Sequence, residues 1–263
     1  MSVAQKVRVN INKMEPGSVF MLSDLPSYRK EHKATQQALS YYSKNEKLKD
    51  KYGYISRLAD GVYYKEEIGI LGKLPPSFDA IVHALTYSNN KKVGYIIGHE
   101  LFHKRGLSTQ VPSRITIVTS KHAPAKLRVS GIDIEIKRKV DKVKEKDINR
   151  LELEYILNNL DKIQDLSRDH FKESLYKYFD FVSQDEKQFK LLYKHIIYKK
   201  TKALFGALFE EYQEYQEYQE NNMVNDFSSY INYIRKDLSS KSEYKIGRLF
   251  NLVDNYKAWN IKY

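Results

Sequence analysis

The sequence predicts a protein of the α+β class. Apolar residues recur at helical spacing up to Asn45, and two β-prone runs separated by a glycine-containing turn follow them. Strict alternation of isoleucine and charged residues over Ile132–Lys137 indicates a half-buried strand, after which helical periodicity returns. The expected parts are an N-terminal winged helix-turn-helix (residues 1–66), a small mixed α/β middle domain (67–144) and a helical C-terminal region (145–263).

The first two predicted helices come from apolar spacing and capping residues. Val3, Val7 and Ile11 fall on one helical stripe, and Pro16-Gly17 ends that helix. Ser23 is a suitable N-cap, because its hydroxyl can accept a hydrogen bond from an unpaired backbone N–H of the first turn. We therefore expect a second, short helix to begin there.

A third helix is predicted from about Lys33 to Asn45, with two distinct faces. Its apolar stripe follows the i, i+3, i+4, i+7 pattern and consists of Thr35, Ala38, Leu39 and Tyr42. The opposite face carries hydrogen-bond donors: Lys33, Gln36, Gln37, Ser40, Tyr41 and Lys44. Such side chains can reach base edges and phosphates when a recognition helix lies in the major groove. We predict double-stranded DNA as the partner of this face.

A β-hairpin wing is predicted directly after the third helix. Tyr54–Leu58 and Val62–Tyr64 are β-prone, and Ala59-Asp60-Gly61 supplies the turn because glycine tolerates positive φ. Within the wing, Arg57 is expected to contact a phosphate together with Lys33. Any amphipathic helix has a polar face, however, so a winged helix that docks onto a protein stays open as an alternative.

Charge is concentrated in one part of the chain. The formal net charge is +12, and residues 91–144 contain 13 lysines and arginines against 4 carboxylates, whereas residues 145–263 contain 19 against 20. A basic region confined to part of a chain favours an anionic partner, most often nucleic acid.

Several classes of protein are disfavoured by composition. The chain has no cysteine, which excludes disulfides and thiolate metal sites. No apolar run is long enough to span a bilayer, and the N-terminus lacks the apolar stretch of a signal peptide. We therefore expect a soluble, cytoplasmic protein that needs no cofactor.

The middle of the chain is predicted to alternate helices and strands. Gly61–Lys73 is expected to be a connector. Two helices are predicted next, over Pro75–Tyr87 and Tyr95–Lys104, and then three strands, over Ile115–Thr119, Leu127–Ser130 and Ile132–Lys137. From about Lys146 a helix is expected to reach Leu166, and further helices to continue through Asn221.

One short motif has the pattern of a zinc peptidase. His99-Glu100-Leu101-Phe102-His103 matches H-E-x-x-H, in which two histidines four residues apart bind one metal and the glutamate acts as general base. Gly106 fits the extended form of the motif, but Thr109 stands at its third ligand position. Lys104 and Arg105 also place positive charge beside the site. A zinc-dependent peptidase linked to a DNA-binding domain therefore stays an alternative, and no metal site is the main expectation.

A triplet repeat occupies the region expected to be the end of a helix. Glu211–Glu220 repeats Glu-Tyr-Gln, and a period of three drifts backward against 3.6 residues per turn. Its tyrosines are therefore expected to wrap slowly around an exposed, tolerant helix end rather than to form a binding strip.

Two groups of short segments carry a resemblance to a known family. The first group is Pro16–Phe20, Asp24-Leu25, Ala38–Ser40 and Asp60–Tyr64. The second group is Gly94–Gly98, Leu101, Gly106–Pro112 and Ile115–Thr119. Taken in order over about residues 5–165, they resemble AbiEi-type antitoxins, the antitoxin half of abortive-infection toxin–antitoxin pairs.

The resemblance implies a function without catalysis. It implies a winged helix that represses its own operon, and a C-terminal part that neutralises a nucleotidyltransferase-like toxin in the type IV manner, without a stable complex. An operator made of inverted repeats would take two copies of the chain, as a homodimer on DNA. In this family the segment His99–His103 falls in an ordinary helix, where no metal is expected.

Overall fold

A computed structural model describes residues 1–139, 141–219 and 227–263, and it confirms the α+β class. Val140 and residues 220–226 lie outside the described residues, and with them the ends of the predicted C-terminal helix and of the triplet repeat. The chain forms two compact units: unit 1 (Met1–Ile97 and Ser113–Glu145) and unit 2 (Gly98–Pro112 and Lys146–Tyr263). Among the described residues no helix is long and apolar enough to cross a membrane.

Unit 1 begins with helices and a small sheet. Its first elements are α1 (Val3–Lys13), β1 (Val19–Met21), two 3₁₀ turns (Leu22–Asp24 and Pro26–Arg29), α2 (His32–Lys44), α3 (Glu46–Tyr52), β2 (Ile55–Ala59) and β3 (Val62–Lys65). A capping box starts α1: the Ser2 hydroxyl accepts from the Gln5 N–H, and the Gln5 side chain accepts from the Ser2 N–H. This is the order of a winged helix-turn-helix, with 3₁₀ turns in the place of the second helix.

The predicted second helix is wrong. Ser23 does not cap a helix but lies inside the first 3₁₀ turn. The Asp24 carboxylate instead accepts a hydrogen bond from the Met21 N–H at 2.9 Å, which closes the turn back on itself. In a 3₁₀ turn, side chains three residues apart point in the same direction. This turn therefore brings both Leu22 and Leu25 into the core, where both are buried.

The wing and β1 form one antiparallel sheet in the order β1-β3-β2. Gly61 adopts φ +72° in the turn between β2 and β3, which confirms the predicted hairpin. Under this sheet, α1 and α2 share one apolar core with the 3₁₀ turns. Its buried members are Val7, Ile11, Phe20, Leu22, Leu25, Leu39, Tyr42, Ile55 and Tyr63.

The rest of unit 1 contains a four-stranded sheet, one helix and two short two-stranded hairpins. Its elements are β4 (Glu67–Gly69), β5 (Gly72–Leu74), α4 (Phe78–Thr86), β6 (Tyr87–Ser88), β7 (Lys91–Lys92), β8 (Gly94–Ile97), β9 (Arg114–Thr119), β10 (Lys126–Val129) and β11 (Ile132–Arg138). Strands β10-β11-β9-β8 form the sheet, with β9 and β11 parallel and the other pairs antiparallel. Ser77 caps α4 through the Ala80 N–H, so the predicted helix is confirmed.

Two predictions in this part need correction. The expected connector after Gly61 contains the hairpin β4–β5, because Gly72 at φ +108° permits a tight turn. The expected helix from Tyr95 is instead the buried strand β8 followed by a short helix, since a four-residue apolar run has no diagnostic period. Gly94 lies so close to β9 that a Cβ there would come within 2.7 Å of the Val118 carbonyl oxygen.

Unit 2 is mainly helical. Its elements are α5 (His99–Lys104), α6 (Ile148–Leu157), α7 (Arg168–Ser183), α8 (Glu186–His195), α9 (Lys199–Gln219), α10 (Ser228–Asp237), β12 (Tyr244–Lys245) and β13 (Ile261–Lys262). The predicted helix to Leu166 is too long, because α6 ends at Leu157 and a 3₁₀ turn follows. A Cβ at Gly206 of α9 would overlap the Trp259 ring, so the glycine lets the indole lie against the helix backbone.

The described part of the triplet repeat shows the predicted drift. Tyr212 is 2% exposed and donates to the Asp180 carboxylate, Tyr215 is 46% exposed, and Tyr218 is 85% exposed. The three tyrosines therefore leave the core one after another toward the end of α9.

Candidate nucleic-acid interface

The orientation of α2 is set by its buried stripe. Thr35, Leu39 and Tyr42 are essentially inaccessible, and Ala38 packs against the same core. Complete burial of a leucine side chain contributes about 2 kcal/mol, so this stripe determines which face of α2 points outward. The predicted apolar face is confirmed.

The opposite face of α2 is accessible to a ligand. Five of the six predicted side chains are exposed: Lys33, Gln36, Gln37, Tyr41 and Lys44. Ser40 is half-buried, and Tyr41 is 61% exposed with its hydroxyl accepting from the Asn45 amide at 3.0 Å. Within the described part of the chain, neither lysine has an ion pair. The predicted residues therefore form one accessible row of amides, a hydroxyl and two cations.

Tyr42 fixes the end of α2 to the start of the wing. Its hydroxyl donates to the Gly53 carbonyl oxygen at 2.9 Å. Burial, reinforced by the neighbouring Tyr52, raises the pKa of Tyr42 to about 12. The phenol therefore stays protonated at neutral pH and keeps its donor role.

Arg57 lies on the wing but is already paired. Its guanidinium contacts the Asp60 carboxylate, and its Nε donates to the Ala59 carbonyl oxygen at 3.3 Å. Both side chains are more than half exposed, so the pair is weak and a phosphate can compete for the arginine. The structure brings Arg57 to the wing tip, outside the row of side chains on α2.

Lys65 positions the wing, a role that the sequence pattern does not reveal. Its ammonium donates to the carbonyl oxygens of Met14 at 2.7 Å and of Ile11 at 3.3 Å, at the C-terminal end of α1. A cation there satisfies carbonyls that lack a helical partner. A lysine at the end of a strand gives no sequence signal of this contact, because the partner lies more than fifty residues away.

The H-E-x-x-H residues lie on α5 in unit 2. His99 and His103 are exposed, whereas Glu100 is 8% exposed and lies 3.8 Å from the Lys104 ammonium. The Nδ1 of His103 is 3.3 Å from the Ser108 carbonyl oxygen. Among the residues that the structure describes, no three His, Asp or Glu side chains are placed to share a metal ion.

The segment Gly106–Pro112, which carries part of the family resemblance, is held in place by one carboxylate. Asp165 accepts from the Ser108 hydroxyl at 2.7 Å and from the Thr109 N–H at 2.6 Å. Hydrogen bonds from the Thr109 and Ser108 hydroxyls hold the pKa of Asp165 well below its ordinary value. Ser108 and Thr109 therefore anchor this loop to the segment after α6.

Comparison with known families identifies the chain as a member of a family of unknown function, DUF6088, which matches residues 6–179. Neither the curated proteins nor the solved structures give a match. The family match covers the three-stranded and four-stranded sheets of unit 1 and the first helices of unit 2, up to most of α7.

Proposed function

We propose that this chain is a DNA-binding transcriptional autorepressor and the antitoxin of an AbiE-like toxin–antitoxin system. The observation that carries the DNA-binding half is the exposed, donor-rich face of α2, held rigid by its buried stripe and flanked by the wing. Gln36 and Gln37 can each make two hydrogen bonds to adenine in the major groove. Lys33, Lys44 and Arg57 neutralise phosphates, while Ser40 and Tyr41 set the register on the backbone.

The charge distribution supports the same proposal. Unit 1 contains 24 lysines and arginines against 13 carboxylates, whereas unit 2 contains 21 against 20. Association with DNA releases condensed counterions, so this excess makes the affinity depend steeply on salt.

The antitoxin half rests on the ordered resemblance over about residues 5–165. In this proposal the chain is not an enzyme and acts in the cytoplasm on a nucleotidyltransferase-like toxin without a stable complex. Two copies bind an operator of inverted repeats.

The autorepressor half is tested with a reporter driven by the DNA upstream of the gene. Wild-type protein supplied in trans is expected to lower the reporter signal, and the variant Gln37→Ala/Lys44→Ala to relieve repression by tenfold or more (about 1.4 kcal/mol of binding free energy). The matched control Gln184→Ala/Lys187→Ala removes the same two side-chain types from exposed positions in unit 2. Equal repression by wild type and the first variant would contradict the role of α2.

The antitoxin half has a separate test. A nucleotidyltransferase-like reading frame next to the gene is expressed alone and with this protein. We expect the toxin alone to arrest growth. The variant Gln37→Ala/Lys44→Ala, which keeps unit 2 intact, should rescue growth as the wild-type protein does. Failure of the wild-type protein to rescue growth would remove the antitoxin half and leave the repressor.

A winged-helix module that binds protein is the second candidate, and the hairpin β4–β5 favours it. Ile70 and Leu71 at its turn are fully exposed, and Ile68 is 62% exposed. Apolar side chains grouped at a projecting turn are typical of protein contacts. This candidate predicts no salt-dependent affinity for DNA.

A further inference from the structure

A strongly basic cleft lies in unit 1, beside the segment that leads into α2. Its volume is about 640 Å³. Two carboxylates, Asp24 and Glu145, reach it. The cations that line it are Arg29, Lys91, Lys92, Lys121, Lys142 and Lys144. We call this feature the basic cleft.

Lys121 belongs to the scaffold of the basic cleft. It is 8% exposed, and its ammonium contacts the Asp24 carboxylate at 2.7 Å and the carbonyl oxygens of Ala84 at 2.6 Å and Tyr87 at 2.9 Å. Three acceptors satisfy its three donors, and two of them lie at the C-terminal end of α4, where a cation is favoured. Lys121 and Asp24 thus neutralise each other and fix the 3₁₀ turn Leu22–Asp24 to the end of α4.

The other five cations remain available to a ligand. Arg29, Lys91, Lys142 and Lys144 are exposed, and Lys92 is half-buried. Across residues 1–139, 141–219 and 227–263, none of the five has a carboxylate within 4.0 Å. Five cations in one concavity with a single remaining carboxylate repel one another, and an anion relieves that repulsion.

Arg29 connects the basic cleft to α2. It ends the 3₁₀ turn Pro26–Arg29, and α2 begins three residues later at His32. In helix-turn-helix complexes the N-terminal residues of the recognition helix contact bases, while the preceding helical segment crosses the sugar-phosphate backbone. Arg29 lines the same cleft as the lysines of β7 and of the segment after β11, so a backbone that contacts Arg29 comes close to them.

We propose that the basic cleft binds phosphates of the same DNA duplex that α2 reads, outside the base pairs contacted by α2. The inference rests on the proposed function and extends it, because the sheet part of unit 1 then adds affinity without sequence preference. The lysines are exposed and the cleft is open, whereas a single small anion is usually held in an enclosed site. A polymer of phosphates offers several anions in sequence and therefore fits this arrangement better.

The test compares two duplexes by fluorescence anisotropy over a series of salt concentrations. The short duplex holds only the base pairs recognised by α2, and the long one extends them by about one helical turn on each side. The variant is Lys91→Gln/Lys92→Gln/Lys142→Gln/Lys144→Gln. The control, Lys187→Gln/Lys194→Gln/Lys236→Gln/Lys241→Gln, lowers the net charge equally through exposed lysines of unit 2.

We expect wild type and control to show a steeper salt dependence on the long duplex than on the short one. The cleft variant should lose that difference. On the long duplex, its slope of log Kd against log salt concentration should be smaller by about 3 to 4 units than that of the wild type. Its preference for operator over scrambled sequence and its affinity for the short duplex should stay unchanged.

The outcomes separate the inference from the proposed function. A cleft variant that keeps the steep dependence on the long duplex, with operator preference intact, overturns the inference alone. Equal weakening by the control variant also overturns it, because the effect would then follow net charge and not the cleft. Absence of operator preference in the wild-type protein overturns the proposed function itself. Thermal melting of both variants verifies that the substituted proteins fold.

Discussion

At the scale of single residues, two adjacent tyrosines have opposite roles at the candidate interface. Tyr42 is buried and ties α2 to Gly53, whereas Tyr41 points outward and is 61% exposed. Adjacent residues on a helix differ by 100° in direction. The buried stripe therefore determines which of the two side chains points to the core and which to solvent. By the same geometry Gln36 and Gln37 are exposed, whereas Thr35 is buried.

Base contact and phosphate contact predict different effects of substitution on α2. Gln37→Ala should lower affinity for the operator by about 1–3 kcal/mol and relax sequence preference, because it removes the proposed base-edge contact. Lys44→Ala should weaken operator and scrambled DNA alike and shallow the salt dependence by about one unit. Anisotropy on both duplexes measures each effect, and equal losses on both sequences for both variants would contradict the assignment.

Asp237 in unit 2 gives a pH-dependent contribution to stability. Burial alone would raise the pKa of Asp237, but hydrogen bonds from Lys199, Lys202 and Tyr193 outweigh it and lower the pKa to about 2. The stabilisation is complete above the ordinary value of 3.8 and is lost as the pH falls through about 2.

The advantage of wild type over Asp237→Asn in unfolding free energy should therefore shrink on acidification from neutral pH to about pH 2. With the side chain 39% exposed, solvent screening limits the change to about 1 kcal/mol. Urea unfolding at several pH values measures it, and a difference that does not vary with pH would contradict this role of the carboxylate.

At the scale of elements, sequence periodicity predicted α2, α4, the wing and the strands β9 to β11. The helices α2 and α4 have a full apolar stripe, β11 alternates strictly, β9 is rich in β-branched residues, and the wing has a glycine turn. The prediction failed where a segment was too short to show a period or where its apolar residues were not buried. Tyr95–Ile97 is too brief to show a period, and the hairpin β4–β5 has its apolar residues exposed.

For the candidate site, the sequence predicted which side chains lie on the exposed face of one helix, but not the contacts between different elements. The exposed row on α2 follows from the stripe, but the pairing of Arg57 depends on the conformation of the wing turn. The contacts of Lys65 and Lys121 join residues distant in sequence, and a lone lysine gives no sign of such a partner. The basic cleft was visible only as excess charge over residues 91–144, without its shape.

Lys121 is predicted to hold several elements of unit 1 together. Lys121→Met should lower the free energy of unfolding by about 3 kcal/mol, because it leaves Asp24 and two helix-end carbonyls without their cation. The exposed Lys126→Met is the matched control, expected to change stability by less than about 0.5 kcal/mol. Adding Asp24→Asn to Lys121→Met should recover part of the loss in urea unfolding. Equal effects of the two lysine substitutions would contradict this structural role of Lys121.

At the scale of the whole molecule, the two compact units differ in charge and composition. Unit 1 carries nearly the whole positive excess and contains α2, the wing and the basic cleft, whereas unit 2 is close to neutral and contains an aromatic helical core. The family match ends at residue 179, within α7, so the helices beyond it fall outside the matched segment. The proposed function therefore assigns DNA binding to unit 1 and toxin neutralisation to unit 2.

The central claim, that α2 reads a specific operator, is tested most directly by the affinity of the full chain for its own upstream DNA. Anisotropy on that DNA and on a scrambled duplex of equal length, at low and high salt, separates specific from nonspecific binding. We predict a preference of about a hundredfold or more for the upstream DNA, with a steep salt dependence on both. Weak and equal binding to both duplexes would contradict the claim and leave only a nonspecific basic surface.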